Sequence, residues 1–160
     1  MAYYPKVLFF LNVAGSLTRP GATLIDSWGR PIDNLCLLSI TNFNVLLERL
    51  NANVVIVDSW ASMFNFDMLK TILQAGGMAF NRGRGIIDYL PVSTHRTKLL
   101  CIERYVMEND YYNFLLIDVD MERYRVLHHL VKPSDRGLSQ ANIEEGLRIA
   151  HTYFKEISPL

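Results

Sequence analysis

Three short segments carry the side chains best suited to chemistry: residues 12–17, Asp58 to Trp60, and Asp118 to Asp120. A carboxylate can act as nucleophile, as general base or as ligand to a hard cation. Asp58 closes an apolar run and is a candidate nucleophile or base, while Asp118 and Asp120 are a candidate pair for Mg²⁺. Trp60, with Trp28 further up the chain, offers a ring on which a base could stack, worth about 1–3 kcal/mol per base. Arg82, Arg84, Arg96 and Lys98 offer positive charge. Together these point to a nucleotide or a nucleic-acid end. Other chemistries find no support. Neither a Ser-His-Asp order, a P-loop nor a dinucleotide glycine fingerprint occurs. His128 and His129 are expected in a strand, on opposite faces, where they cannot share a metal. His95 and His151 have no matched partner in sequence. Cys36 and Cys101 fit no zinc or CxxC spacing and read as reduced, partly buried thiols.

The three segments follow apolar runs, which identifies the elements that must hold them. Continuous apolar runs at Lys6–Asn12, Asn53–Asp58 and Asn113–Asp118 predict strands covered on both faces. Weaker strands are expected at Ile86–Leu90 and Leu127–Val131. Helical spacing predicts helices over Ser39–Leu50 and Ala61–Ala75, the second stopped by Gly76 and Gly77. A third helix runs to about Met107 from a cap at Ser93 or Thr94. A fourth spans Ser139–Ile157, with Ser139 as cap and a stripe of Ile143, Leu147, Ala150 and Phe154. Strand–helix alternation predicts an α/β fold: three Rossmann-like layers, a mainly parallel five-stranded sheet with helices on both faces. Ligands of such sheets bind beyond the carboxyl ends of the strands, at the switch point, which is where the three segments fall. The chain reads as a single domain over 1–160. A long loop or small cap at 14–38 holds Trp28 and Arg30, within reach of a pocket.

These strand ends resemble the haloacid-dehalogenase-like superfamily, most closely the small phosphatase-like domains of RNA end-repair proteins. The family's first motif, a strand ending in Asp-x-Asp-Gly, corresponds to Leu11-Asn12-Val13-Ala14-Gly15-Ser16-Leu17-Thr18. The second, a strand ending in Ser or Thr, corresponds to Val57-Asp58-Ser59-Trp60-Ala61. A helix lysine corresponds to Lys98, and the acidic pair to Leu116-Ile117-Asp118-Val119-Asp120. The closing turn corresponds to Gly137-Leu138-Ser139. The resemblance implies that position 12 should hold the nucleophile, which attacks phosphorus and helps bind Mg²⁺, and position 14 the acid/base. Here they are Asn12 and Ala14. An amide is a very poor nucleophile and an alanine has nothing to titrate. Acid–base help alone is typically worth about 10²–10⁴-fold. No catalytic residue is therefore expected. Asn12, Ser59, Trp60 and Lys98 would bind the ligand. Asp118 and Asp120 would form a weakened metal site, so that no cofactor is required. Deliberate inactivation would introduce the same two residues, but further departures at Ser16 and Ala61 favour natural degeneration.

The expected function is thus that of a pseudoenzyme, binding a phosphate-bearing small molecule, a nucleic-acid end or a protein partner, in the manner of a viral or mobile-element inhibitor. Two alternatives stand beside it. One is a Mg-dependent phosphatase with a rearranged site built on Asp58, Asp118 and Asp120. The other is a structural module that forms a homodimer through Tyr3, Tyr4, Tyr111, Tyr112 and Phe114. Composition sets outer bounds. Sixteen Lys and Arg balance sixteen Asp and Glu, so no net field draws the molecule to nucleic acid or anionic lipid. The run Val7–Val13 is too short for a bilayer, which takes about 20 residues, and lacks a signal-peptide cleavage site. A cytoplasmic location with no membrane contact is the expectation.

Overall fold

The computed structural model describes residues 4–18, 35–58, 64–92, 95–119 and 128–155. Strands β1 (Val7–Leu11), β2 (Asn53–Asp58), β3 (Ile86–Pro91), β4 (Asn113–Ile117) and β5 (Leu130–Val131) form one five-stranded sheet in the order β3-β2-β1-β4-β5. Every neighbouring pair is parallel. Helices α1 (Leu37–Leu50), α2 (Phe66–Ala75), α3 (His95–Glu108) and α4 (Gln140–Tyr153) complete a three-layer, Rossmann-like α/β arrangement.

Side-chain alternation along β1 divides the core in two. Val7, Phe9 and Leu11 face the layer of α1, α2 and α4, where they meet Phe43, Leu46, Leu69, Leu73 and Ile149. Leu8 and Phe10 face the other way, toward Ile102 and Tyr105 of α3. The chain order explains this division. From β1 the sheet grows through β2 to β3, with α1 and α2 on one face. The return from β3 to β4 reverses direction, and a right-handed crossover then places α3 on the opposite face. Between β1 and β4 the chain therefore leaves the sheet in opposite senses, which makes their carboxyl ends the switch point.

Local chemistry explains the helix ends. Ser139 caps α4: its Oγ accepts from the Asn142 N–H, and the Asn142 side chain accepts from the Ser139 N–H, a reciprocal capping box. Asn65 caps α2 by accepting from the Met68 N–H. Asn51 ends α1 in the left-handed region at φ 52°. Gly146 lets α4 lie close to α1, since a Cβ there would come 3.0 Å from Leu46 Cδ2. The turn before α4 is tighter. Gly137 has φ +90°, and a Cβ on it would sit on the Ser39 hydroxyl of α1. Leu138 N–H donates to Ser16 O, and the Asn42 amide donates to Leu138 O. This turn ties α4 to the loop after β1.

Several expectations need correction. β1 ends at Leu11, so Asn12 lies one residue beyond it, and Asp118 likewise lies beyond β4. α1 starts at Leu37, which shortens the loop expected at 14–38. The loop's base is closed by a Thr18–Leu35 bridge and by Cys36 N–H to Leu17 O, while Trp28 and Arg30 lie outside the described residues. The described part of α2 begins at Phe66, not Ala61. α4 stops at Tyr153, where Phe154 turns to extended backbone. β5 is two residues long, not five, so His128 and His129 precede it in a turn. Freed from strand alternation, both rings lie against Tyr153, at 5.2 and 5.7 Å. Arg82 and Arg84 are far from the switch point. Arg84 donates to Asn51 O in the turn that feeds β3, at the opposite end of the sheet.

Two predictions follow from the packing. Gly137→Ala should lower stability by about 1–2 kcal/mol from backbone strain alone, and by more once Ser39 has to move; chemical denaturation measures it. The second concerns pH. Burial holds the His129 imidazole below its usual pKa, with Nδ1 at 2.9 Å from Phe114 O. The unfolded chain then binds more protons than the folded one in the acid range, so stability is lost as pH falls through and below the ordinary histidine range. Burial and the neighbouring Asp88 push Tyr105 up to about 12, so its contribution is lost as pH rises above the tyrosine range. His129→Gln should flatten the acid limb of a melting-temperature profile and leave the alkaline limb unchanged.

Candidate functional site at the switch point

The register of the two central strands assembles the site. Leu11 is paired with Ile117, and the Asn12 N–H donates to Ile117 O at 2.9 Å, so Asn12 and Asp118 emerge side by side. Alternation carries their side chains to the α3 face: Leu8 and Phe10 on β1 and Leu116 on β4 point there, and Asn12 and Asp118 continue the two series. Lys98, in the first turns of α3, comes down from above.

The three side chains are joined by hydrogen bonds. Asn12 Nδ2 donates to Asp118 Oδ1 at 3.1 Å. Lys98 Nζ donates to Asp118 Oδ2 at 2.6 Å, a charge-assisted contact. An ionised carboxylate only accepts, so the amide must turn its NH₂ toward Asp118. Asn12 is 4% exposed, Asp118 3% and Lys98 6%. The formal charges of Lys98 and Asp118 cancel, and Asn12 adds none. Burying an unpaired charge here would be expensive, and pairing with good geometry offsets that cost.

The loop after β1 is built as tightly. Val13 to Leu17 form a turn in which Ser16 and Leu17 N–H both donate to Val13 O. Gly15 has φ +84°, and its N–H donates to Thr18 Oγ1 at 3.0 Å. A Cβ at Gly15 would lie 2.9 Å from Val119 Cγ2, so the loops after β1 and β4 touch at this point. Ala14 is half-buried in the same turn. In the sequence, Ser16 stands out only as a departure from a motif. Its Oγ is fully buried with no hydrogen-bond partner among the described residues, and its carbonyl accepts from Leu138. No pattern in the sequence signals either feature.

The structure therefore brings together Asn12 with Lys98 and Asp118, both of them more than eighty residues further along the chain. Ser59, Trp60 and Asp120 lie outside the described residues, as do the side chains of Asp58 and Arg96. A magnesium ion fits the described arrangement poorly. Both oxygens of Asp118 accept from donors, one of them an ammonium at 2.6 Å, and the facing group at position 12 presents N–H rather than oxygen. Among the described residues no three His, Cys, Asp or Glu side chains cluster as a metal site. None of the helices there is long and apolar enough to cross a membrane.

The fold and site define a parallel α/β domain with a neutral, buried Lys–Asp–Asn unit at its switch point. Compared with family models, curated proteins and solved structures, the chain finds no match.

The pairing gives a sharp expectation. Lys98→Met strands the Asp118 carboxylate and should cost about 3–5 kcal/mol in urea unfolding. Lys98→Met combined with Asp118→Leu removes both charges and should recover most of that loss. Equal destabilisation by the single and double variants would mean that the pair is not buried as described.

Proposed function

We propose that this chain is a phosphatase-like domain of haloacid-dehalogenase type that has lost its chemistry and acts by binding a phosphate-bearing ligand, a nucleotide or a nucleic-acid end. The observation that supports it best is the contact of the Asn12 amide with Asp118 under Lys98. In the resembling family, this position at the head of the first strand carries the carboxylate that takes up the phosphoryl group. An amide nitrogen has its lone pair delocalised into the carbonyl and cannot do so. Ala14, two residues on, cannot protonate a leaving group.

The same two substitutions favour binding. With carboxylates at 12 and 14 the group would carry net −2 beside Lys98 and Asp118; with Asn12 and Ala14 it is neutral. A like-charge contact at 4 Å is worth about 4 kcal/mol at an effective dielectric near 20. Removing two such contacts lets a phosphate approach without a metal to screen it. Lys98 is committed to Asp118, so its role is to keep that carboxylate from repelling the ligand. By the resemblance, Ser59 and Trp60 would then supply the direct contacts. Such a domain sequesters its ligand or blocks a partner instead of turning over.

Titration calorimetry with inorganic phosphate and with a nucleoside monophosphate should show binding that is unchanged by chelator. A p-nitrophenyl phosphate assay with Mg²⁺ should show no release above a mock preparation. Asn12→Asp with Ala14→Asp should make binding depend on Mg²⁺. Turnover by the unaltered chain, lost in Asp58→Asn, would overturn the proposal in favour of a rearranged phosphatase. Absence of heat with either ligand would overturn it outright.

A further inference from the structure

At the end of the sheet opposite Asn12, a cleft of about 450 Å³ opens between the starts of β1 and β4, lined by Pro5, Lys6, Asp110, Tyr112, Asn113 and Lys155. A strand rises about 3.3 Å per residue, and five residues of β1 separate the two ends, so this cleft is independent of the switch-point site and of any function proposed for it. We propose that it is a binding site for a small aromatic anion, a planar ring bearing a carboxylate or similar group.

The cleft is held by one buried side chain. Asn113 opens β4, and its Nδ2 donates both to Pro5 O at 3.0 Å and to Lys155 O at 2.9 Å. Its Oδ1 accepts from the Lys155 N–H at 2.8 Å. A single amide thus joins the entry to β1, the turn after α3 and the end of α4. Walls fixed this way are already formed before a ligand arrives, which reduces the ordering cost of binding. Two lining residues hold the left-handed backbone that glycine adopts most readily, Lys6 at φ 49° and Asp110 at φ 55°. Asp110 sits where a helix commonly ends in glycine, and Tyr111 N–H closes α3 onto Val106 O around it. Charged side chains at two such positions are placed at a conformational cost, as happens at ligand sites.

The lining chemistry selects the ligand class. Lys155 Nζ stands 5.0 Å from the centroid of the Tyr112 ring, and that ring is 64% exposed. Two lysines against one aspartate leave the cleft with net charge +1. A ring stacked on Tyr112 would bring an anionic substituent toward Lys155 and Lys6. An inorganic anion would leave the ring unused, and a neutral aromatic would leave the ammonium groups unanswered.

The test is an NMR titration of the full chain with benzoate, alongside cyclohexanecarboxylate and benzyl alcohol. We expect saturable shifts of the Asn113 side-chain amide with benzoate, at a Kd of about 1 mM or tighter. The Asn12 amide should not respond. The two comparison compounds should bind at least about tenfold more weakly, as should Tyr112→Ala and Lys155→Ala variants whose spectra show an intact fold. Lack of saturation at Asn113 up to about 10 mM benzoate, equal affinity for cyclohexanecarboxylate, or undiminished binding by both variants would each overturn the proposal. Phosphate binding at the switch point is read by different resonances, so either site can fail without the other.

Discussion

The contact of Lys98 with Asp118 under the amide of Asn12 is the constraint around which the upper end of this molecule is arranged. A carboxylate that is nearly excluded from water must be answered by charge and by hydrogen bonds. Lys98 supplies the charge, and Asn12 supplies a donor at the oxygen that Lys98 leaves. To do so, α3 must lie on the face to which position 12 of β1 and position 118 of β4 both point. The reversal of chain direction between β3 and β4 achieves this, because the right-handed crossover carries α3 to that face. Fold and site are thus one argument: the topology that creates a switch point also delivers the lysine to it.

Formal neutrality is the property of this unit as described. Its carboxylate accepts from both Lys98 and Asn12, and the amide at 12 stabilises its charged neighbour. Around it, the touching loops at Gly15 and Val119 and the Gly137 turn on Ser16 form a framework with little slack. The cleft at the other end of the sheet is built on a comparable device, one buried asparagine that spends both ends of its amide on the backbone of Pro5 and Lys155. In each case a neutral side chain, Asn12 or Asn113, organises charged ones.

Much of this was legible in the residues. Continuous apolar runs at Lys6–Asn12, Asn53–Asp58 and Asn113–Asp118 predict strands covered on both faces, and α/β alternation with a parallel sheet follows. Ser139 announced the cap of α4 because a hydroxyl before a helical stripe has few other uses. The weaker predictions failed where local pattern underdetermines structure. Leu127–Val131 reads as a strand, yet β5 is Leu130–Val131, paired with Leu116 and Ile117, and His128 and His129 before it form a turn. His128 and His129 thus lose the alternation expected of them: His128 stacks on Tyr153, and His129 stacks on Phe114 with its ring tilted against Tyr153. Arg82 and Arg84 are available to a switch-point ligand only if the turn before β3 lies at that end; because β3 is parallel to β2, that turn falls on the side away from Asn12.

What the sequence determined by itself is the list of chemical capacities and the elements that carry them: an amide at 12, a carboxylate at 118, a lysine in the third helix, each near a strand end or helix start. Those follow from side-chain type and from periods of two and 3.6 residues, which are local properties. Only the tertiary structure decided that the three meet, that they exclude water, and that Lys98 is spent on Asp118. Strand order, register and the face chosen by a crossover are set by contacts between residues far apart in the chain, 106 positions for Asn12 and Asp118. The cleft at Asn113 belongs to the same class, since nothing in an isolated asparagine shows which three carbonyl and amide groups it will hold.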